Sequence, residues 1–71
     1  MIELVFRNND NSITKTVINV KHIRWFDLLT NSGELLIWVV GNESPLIFSD
    51  DILIDTNILD VYKRLKLLMM K

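Results

Sequence analysis

The hydrophobic pattern of this chain changes its period near Asn57, and this change constrains the fold more than any other feature. After Asn57, apolar residues recur at helical spacing and share one stripe along an amphipathic helix. This stripe consists of Ile58, Val61, Tyr62, Leu65, Leu68 and Met69. Before Asn57, short apolar or alternating segments are separated by turn residues, which is typical of strands. The sequence predicts an α+β fold, an antiparallel β-meander of four or five strands with one C-terminal amphipathic helix packed on one face.

The strand segments are recognisable by alternation and by their Ile, Val and Thr content. We predict strands at 1–7, 13–20, 23–29, 34–40 and 46–48, with 13–29 forming either two strands or one long strand bent by a bulge near Lys21. Residues 52–54 are ambiguous between strand, connector and early helical turn. A single domain over 1–71 then comprises a sheet at about 1–49, a connector at 50–56 and a helix at about 57–70. Asn57 is its predicted N-cap, with Asp60 in the first turn.

The alternation also predicts which side chains form the core. The inward residues of the first two strands, the middle strands and the helix stripe contribute to it. The predicted core is Ile2, Leu4, Phe6, Ile18, Val20, Leu35, Ile37, Phe48, Ile54, Ile58, Val61, Tyr62 and Leu65.

A chain of 71 residues buries only about 60% of the surface that it exposes when unfolded, so it usually needs an additional source of stability. It has no cysteine and one histidine, so disulfides and thiolate metal sites are excluded. Oligomerisation remains open, and a hydrophobic content of 49% supplies apolar surface for it. The sequence therefore favours self-association.

Two apolar surfaces exceed what a small sheet packed on one helix needs. The strand at 34–40 is apolar on both sides, so it is expected either to be buried on both faces or to face a partner. On the helix, Leu59, Leu67 and Met70 lie outside the core stripe. Leu67 and Met70 are compatible with a frayed C-terminus. The surplus is also compatible with a dimer interface, or with a role at a membrane surface or in a target groove. The candidate protein interface is Leu36, Trp38, Val40, Leu59, Leu67 and Met70.

The sequence contains no recognisable catalytic, cofactor-binding or metal-binding motif. His22 would need an orienting partner to act as a general base, and none is evident. Asp50, Asp51 and Asp55 lack the ligand spacing and distal Glu of a calcium loop, so they are expected to form turns and caps. We therefore predict no enzyme activity, no cofactor and no metal.

Aromatic and basic residues raise the alternative of nucleic-acid binding. A hairpin centred on Asn31–Gly33 would bring Trp25 and Trp38 close together in one ladder, as core or interface anchors or as a stacking platform. The helix segment carries the basic residues Lys63, Arg64, Lys66 and Lys71, which could contact phosphates or simply be solvated. Residues 1–56 are net acidic, with eight acidic against four basic side chains, which weakens the stacking hypothesis.

These observations predict a non-enzymatic protein–protein interaction module that binds itself and another protein. A small homodimeric regulator, or an inhibitor of a host protein encoded by a phage or mobile element, is of this kind. The alternative is a small nucleic-acid-binding regulator that uses the basic face of the helix. No segment is apolar enough to span a membrane and the start lacks the pattern of a signal peptide, so we expect a cytoplasmic protein. The abundance of Asn, Ile and Lys is compatible with a low-GC bacterium or its phage.

Overall fold

The computed structural model describes residues 1–70 and has an α+β fold with two antiparallel sheets and one C-terminal helix. A 3₁₀ turn at Val20–His22 separates the second and third strands. In chain order the elements are β1 (Ile2–Arg7), β2 (Ile13–Ile18), β3 (Ile23–Leu29), β4 (Glu34–Val39), β5 (Leu46–Ser49) and α1 (Ile58–Met69).

The five strands do not form one continuous meander. β1 and β2 make a two-stranded sheet, and β3, β4 and β5 make a three-stranded sheet in that order. The break lies at the 3₁₀ turn, where the Asn19 side chain accepts a hydrogen bond from the backbone N–H of Lys21. Of the two alternatives for 13–29, two separate strands are correct, and β2 ends at Ile18, before the predicted end at Val20. β4 likewise ends at Val39, one residue before the predicted end.

Residues 52–54 form a connector that lies along β1. The N–H of Arg7 donates to the Ile52 carbonyl, and the N–H of Ile54 donates to the Val5 carbonyl, both at 2.9 Å. An isolated bridge pairs Leu53 with Phe6. Because paired residues share a face of a sheet, Leu53 points inward with Phe6. The prediction of Ile54 as a core residue is therefore wrong, and the buried residue is Leu53.

The core lies between the two sheets and the helix. Phe6 of one sheet packs edge-on against Phe48 of the other at 5.4 Å between ring centroids. Of the predicted core, Phe6, Val20 and Tyr62 are only partly buried and pack at its margin. The buried residues are Ile2, Leu4, Ile18, Ile23, Phe26, Leu35, Ile37, Phe48, Leu53, Ile58, Val61 and Leu65. Ile23 and Phe26 were not predicted.

The helix begins where the sequence predicts and is capped twice. Asn57 is the N-cap, and its side-chain oxygen accepts a hydrogen bond from the Asp60 N–H at 2.8 Å. The Asp50 carboxylate accepts a second one from the Ile58 N–H at 2.7 Å. Both bonds satisfy amides that have no partner within the helix. The capping role expected for Asp50 is confirmed.

The helix packs with the predicted stripe facing the core, except at its end. Ile58, Val61 and Leu65 are buried, whereas Leu68 is exposed, contrary to its place in the predicted stripe. Met69, in the same last turn, is partly buried against the core, so this turn is only partly covered. Within residues 1–70, no helix is long and apolar enough to cross a membrane.

Candidate protein-interaction surfaces

The three-stranded sheet has one face on the core and one face turned outward. Cross-strand partners set the outward rows: Trp25 is opposite Trp38, and Leu36 lies between Asp27 and Ile47. Because paired residues share a face, these side chains form one surface. We call Trp25, Leu36, Trp38 and Ile47 the outer-face patch. Trp25 is 60% exposed and Ile47 is 53% exposed, so the patch is open in the single chain.

A β-bulge at the start of β3 creates the tryptophan pair. Ile23 is opposite Val39, but Trp25 is opposite Trp38, so Arg24 has no partner residue on β4. The extra residue lets Ile23 and Phe26, three positions apart, both face the core, which a regular strand would not allow. The bulge lies at Arg24 within β3, after the 3₁₀ turn. It does not join β2 to β3, so the alternative of one long strand bent by a bulge near Lys21 is wrong.

Trp25 is held in place on the outer face by a polar contact. Its indole N–H donates to the Asp27 carboxylate at 2.8 Å. The two residues are on the same side of β3, so the bond runs along the strand. With its one polar group satisfied, the remaining surface of the exposed indole is apolar.

The sequence-predicted interface residues separate into two surfaces. Leu36 and Trp38 belong to the outer-face patch, and Val40 is exposed just beyond β4. Leu59, Leu67 and Met70 are exposed on the helix instead. Sequence reasoning placed Trp25 near Trp38 but left it out of the candidate interface, and it missed Ile47. Ile47 could have been found, since it is the outward residue between Leu46 and Phe48.

The exposed residues of the helix combine apolar and basic side chains. Lys63, Arg64 and Lys66 are all exposed. Lys63, Lys66, Leu67 and Met70 line a shallow depression on the flank of the helix. Leu59 lies on the same flank, because it is seven residues before Lys66 and eleven before Met70. Lys71, also predicted as a nucleic-acid contact, lies outside the described residues.

A groove separates β3 from the last turns of the helix. Arg24 and Phe26 line it on the strand side, and Tyr62, Lys66, Met69 and Met70 line it on the helix side, around a volume of about 400 Å³. Trp25 forms its rim and so borders both the groove and the outer-face patch.

Two aromatic contacts organise the lining of this groove. The Lys66 ammonium lies 5.5 Å from the centre of the Tyr62 ring, a cation–π contact. Tyr62 in turn packs edge-on against Phe26 at 5.6 Å. The groove therefore has a basic and aromatic lining. We call it the β3–α1 groove.

The residues considered for catalysis or metal binding are dispersed. His22 is exposed at the end of the 3₁₀ turn, and its carbonyl accepts a hydrogen bond from the Val40 N–H. Asp50 caps the helix, while Asp55 has a positive φ of 63° in the connector. Over residues 1–70, no three His, Cys, Asp or Glu side chains converge in a way that could hold a metal ion.

Comparison with known proteins finds no matching family model and no significant match to a curated protein or to a solved structure.

Proposed function

We propose that the protein is a non-enzymatic protein-binding module that forms a homodimer through its outer-face patch. The observation that carries the proposal is the open, apolar surface of Trp25, Leu36, Trp38 and Ile47 on a sheet whose other face already packs on the core. Tryptophan is enriched in interface centres, where its large ring is desolvated.

The surface of the chain is large enough for a standard dimer interface. The accessible surface of the chain is 5126 Å², so a standard interface of about 800 Å² per partner would cover roughly a sixth of it. A two-fold axis through the patch would place each Trp25–Trp38 pair against its copy, since a closed dimer uses the same surface twice. A small regulator or an inhibitor of a host protein would then present its remaining surfaces to the second partner.

The dimer is tested by measuring mass in solution with two charge insertions. We expect sedimentation equilibrium at micromolar concentration to give a dimer for the wild type and a folded monomer for Ile47→Glu. Leu67→Glu is the matched control, since Leu67 is 74% exposed on the helix and outside the patch. A wild-type monomer of 8.3 kDa would refute the dimer. Loss of the dimer in Leu67→Glu alone would move the interface to the helix.

The alternative function is nucleic-acid binding by Lys63, Arg64 and Lys66. Their exposure on one helix supports it, because phosphate contacts require accessible cations. Binding of duplex or single-stranded DNA should then be strongest at low salt and should weaken steeply as salt is raised. Absence of binding at low salt would rule this alternative out.

A further inference from the structure

We propose that the β3–α1 groove binds an acidic, extended peptide segment of a partner protein, which adds to the free edge of β3. This inference rests on the proposed function as a protein-binding module, but it does not depend on the homodimer. The groove and the outer-face patch share only the rim residue Trp25.

The first argument is the position of β3 at the edge of its sheet. The sheet order is β3, β4, β5, so within the described part of the chain β3 has a strand on one side only. An edge strand offers unpaired backbone N–H and C=O groups to a further strand. Peptides bind in this way when a side-chain groove lies beside the edge, since the backbone gives affinity and the groove gives specificity. Here the β3–α1 groove lies beside the first half of β3.

The second argument is the charge of the groove. Arg24 and Lys66 line it, Lys63 lies in the adjoining depression, and neither lining includes an acidic side chain. This contrasts with residues 1–56, where acidic side chains outnumber basic ones. Complementary charge selects partners and excludes like-charged ones. An acidic segment is therefore favoured over a basic one.

The third argument distinguishes a peptide from a nucleic acid. Met69 and Met70 contribute flexible thioether side chains that adapt to varied apolar groups. The three cations in and beside the groove, Arg24, Lys63 and Lys66, lie on a chain of net charge −1 and provide few phosphate contacts. Nucleic-acid affinity grows with the number of such contacts. Successive side chains of an added strand point to opposite faces, so one alternate set faces the groove. Acidic and apolar side chains within that set would meet Arg24, Lys66 and the apolar part of the lining.

The bulge gives Arg24 its place in the groove. Arg24 has no partner on β4, and such unpaired residues redirect a side chain at binding sites. The guanidinium can form paired hydrogen bonds to a carboxylate. Lys66 is positioned across the groove by the Tyr62 ring. The two cations therefore approach a bound segment from opposite walls.

The test is selection of dodecapeptides from a random display library on the full chain, followed by fluorescence polarisation with the selected peptides. We expect enrichment of Asp or Glu together with apolar residues within one alternate set of positions, because only that set faces the groove. The double variant Arg24→Glu/Lys66→Glu should bind the selected peptides about tenfold more weakly or worse, since two charge-assisted contacts are lost. Lys15→Glu, a charge reversal on β2, is the matched control and should bind normally. Circular dichroism checks the fold of each variant, and Lys66→Gln provides a milder change.

Backbone methylation tests strand addition directly. Methylating one alternate set of peptide amides should abolish binding, and methylating the other set should not, because only one set faces β3. Three outcomes would overturn the inference. The selected peptides could lack acidic enrichment, the double variant could bind them with unchanged affinity, or oligothymidylate could displace them and bind more strongly.

Ile47→Glu separates the two proposals: a monomer that still binds acidic peptides supports the groove independently. If the wild type is a monomer that binds acidic peptides, the dimer proposal is refuted and the groove proposal is supported.

Discussion

Trp25 lies directly opposite Trp38 on the outer face of the sheet because Arg24 is an extra residue in β3. The pairing of Ile23 with Val39, continued without a bulge, would place Trp25 opposite Ile37 and separate the two indoles onto different faces. One unpaired residue therefore creates the outer-face patch and, at the same time, turns Phe26 into the core.

The cross-strand tryptophans should be energetically coupled. In an Ile47→Glu background that removes the proposed dimer, a double-mutant cycle of Trp25→Ala and Trp38→Ala should give a coupling of roughly 0.2–1 kcal/mol in urea unfolding. The pair Trp25→Ala and Leu59→Ala serves as the control and should be additive, since Leu59 is not among the helix residues that line the groove beside Trp25. A Trp25–Trp38 coupling no larger than that of the control would contradict the shared ladder position.

Two leucines on the same helix should differ sharply in their contribution to stability. Leu65 is fully buried and Leu67 is exposed. Leu65→Ala should cost about 2–5 kcal/mol through lost burial and a cavity, whereas Leu67→Ala should change the free energy of unfolding by less than about 0.5 kcal/mol. Urea denaturation of the two variants at equal concentration measures both. Similar losses would mean that the helix packs in another orientation or that Leu67 is covered by a partner.

The N-cap of the helix should contribute measurably to folding. Asn57→Ala removes the acceptor for the Asp60 amide and should cost about 1 kcal/mol. Asn57→Ser retains a capping oxygen and should recover most of this loss. Thermal unfolding followed by circular dichroism gives the comparison. If Ala and Ser are equivalent, the Asp50 carboxylate on the Ile58 amide is sufficient to begin the helix.

The β1–β2 loop should give a small acid-side dependence of stability. Hydrogen bonds from the Ser12 hydroxyl and the Ser12 backbone N–H hold the pKa of Asp10 below its usual value of 3.8. Because the folded state favours the carboxylate, this contribution is present above pH 3.8 and is lost as the pH falls through the lower pKa of the folded state. The effect is small because Asp10 is fully exposed to solvent.

Carboxyl titration by NMR tests this relationship. The pKa of Asp10 should rise toward its usual value in Ser12→Ala, which removes the hydroxyl donor. Asp10→Asn should remove the corresponding part of the acid-side dependence. An unchanged Asp10 pKa in Ser12→Ala would show that the Ser12 hydroxyl is not the main cause of the lowered pKa.

Much of the architecture follows from local sequence. The helix and its Asn57 cap, β1, and the turn at Gly33 were predictable because each depends on the spacing or conformational preference of neighbouring residues. The interface candidates Leu36 and Trp38 were identifiable from the continuous apolar run of β4. The proximity of Trp25 to Trp38 followed from the hairpin at Asn31–Gly33. The bulge that sets their pairing and the place of Ile47 beside Leu36 did not, because both depend on the register between strands.

Local sequence determined that this chain has strands followed by one amphipathic helix and more apolar surface than a small core requires. Tertiary structure decided how that surface is distributed. The division into two sheets, the burial of Leu53 in place of Ile54 and the bulge at Arg24 arise from hydrogen bonds between segments distant in sequence. Spacing along the chain specifies which residues share a side of one element, but only pairing between elements specifies which face that side meets.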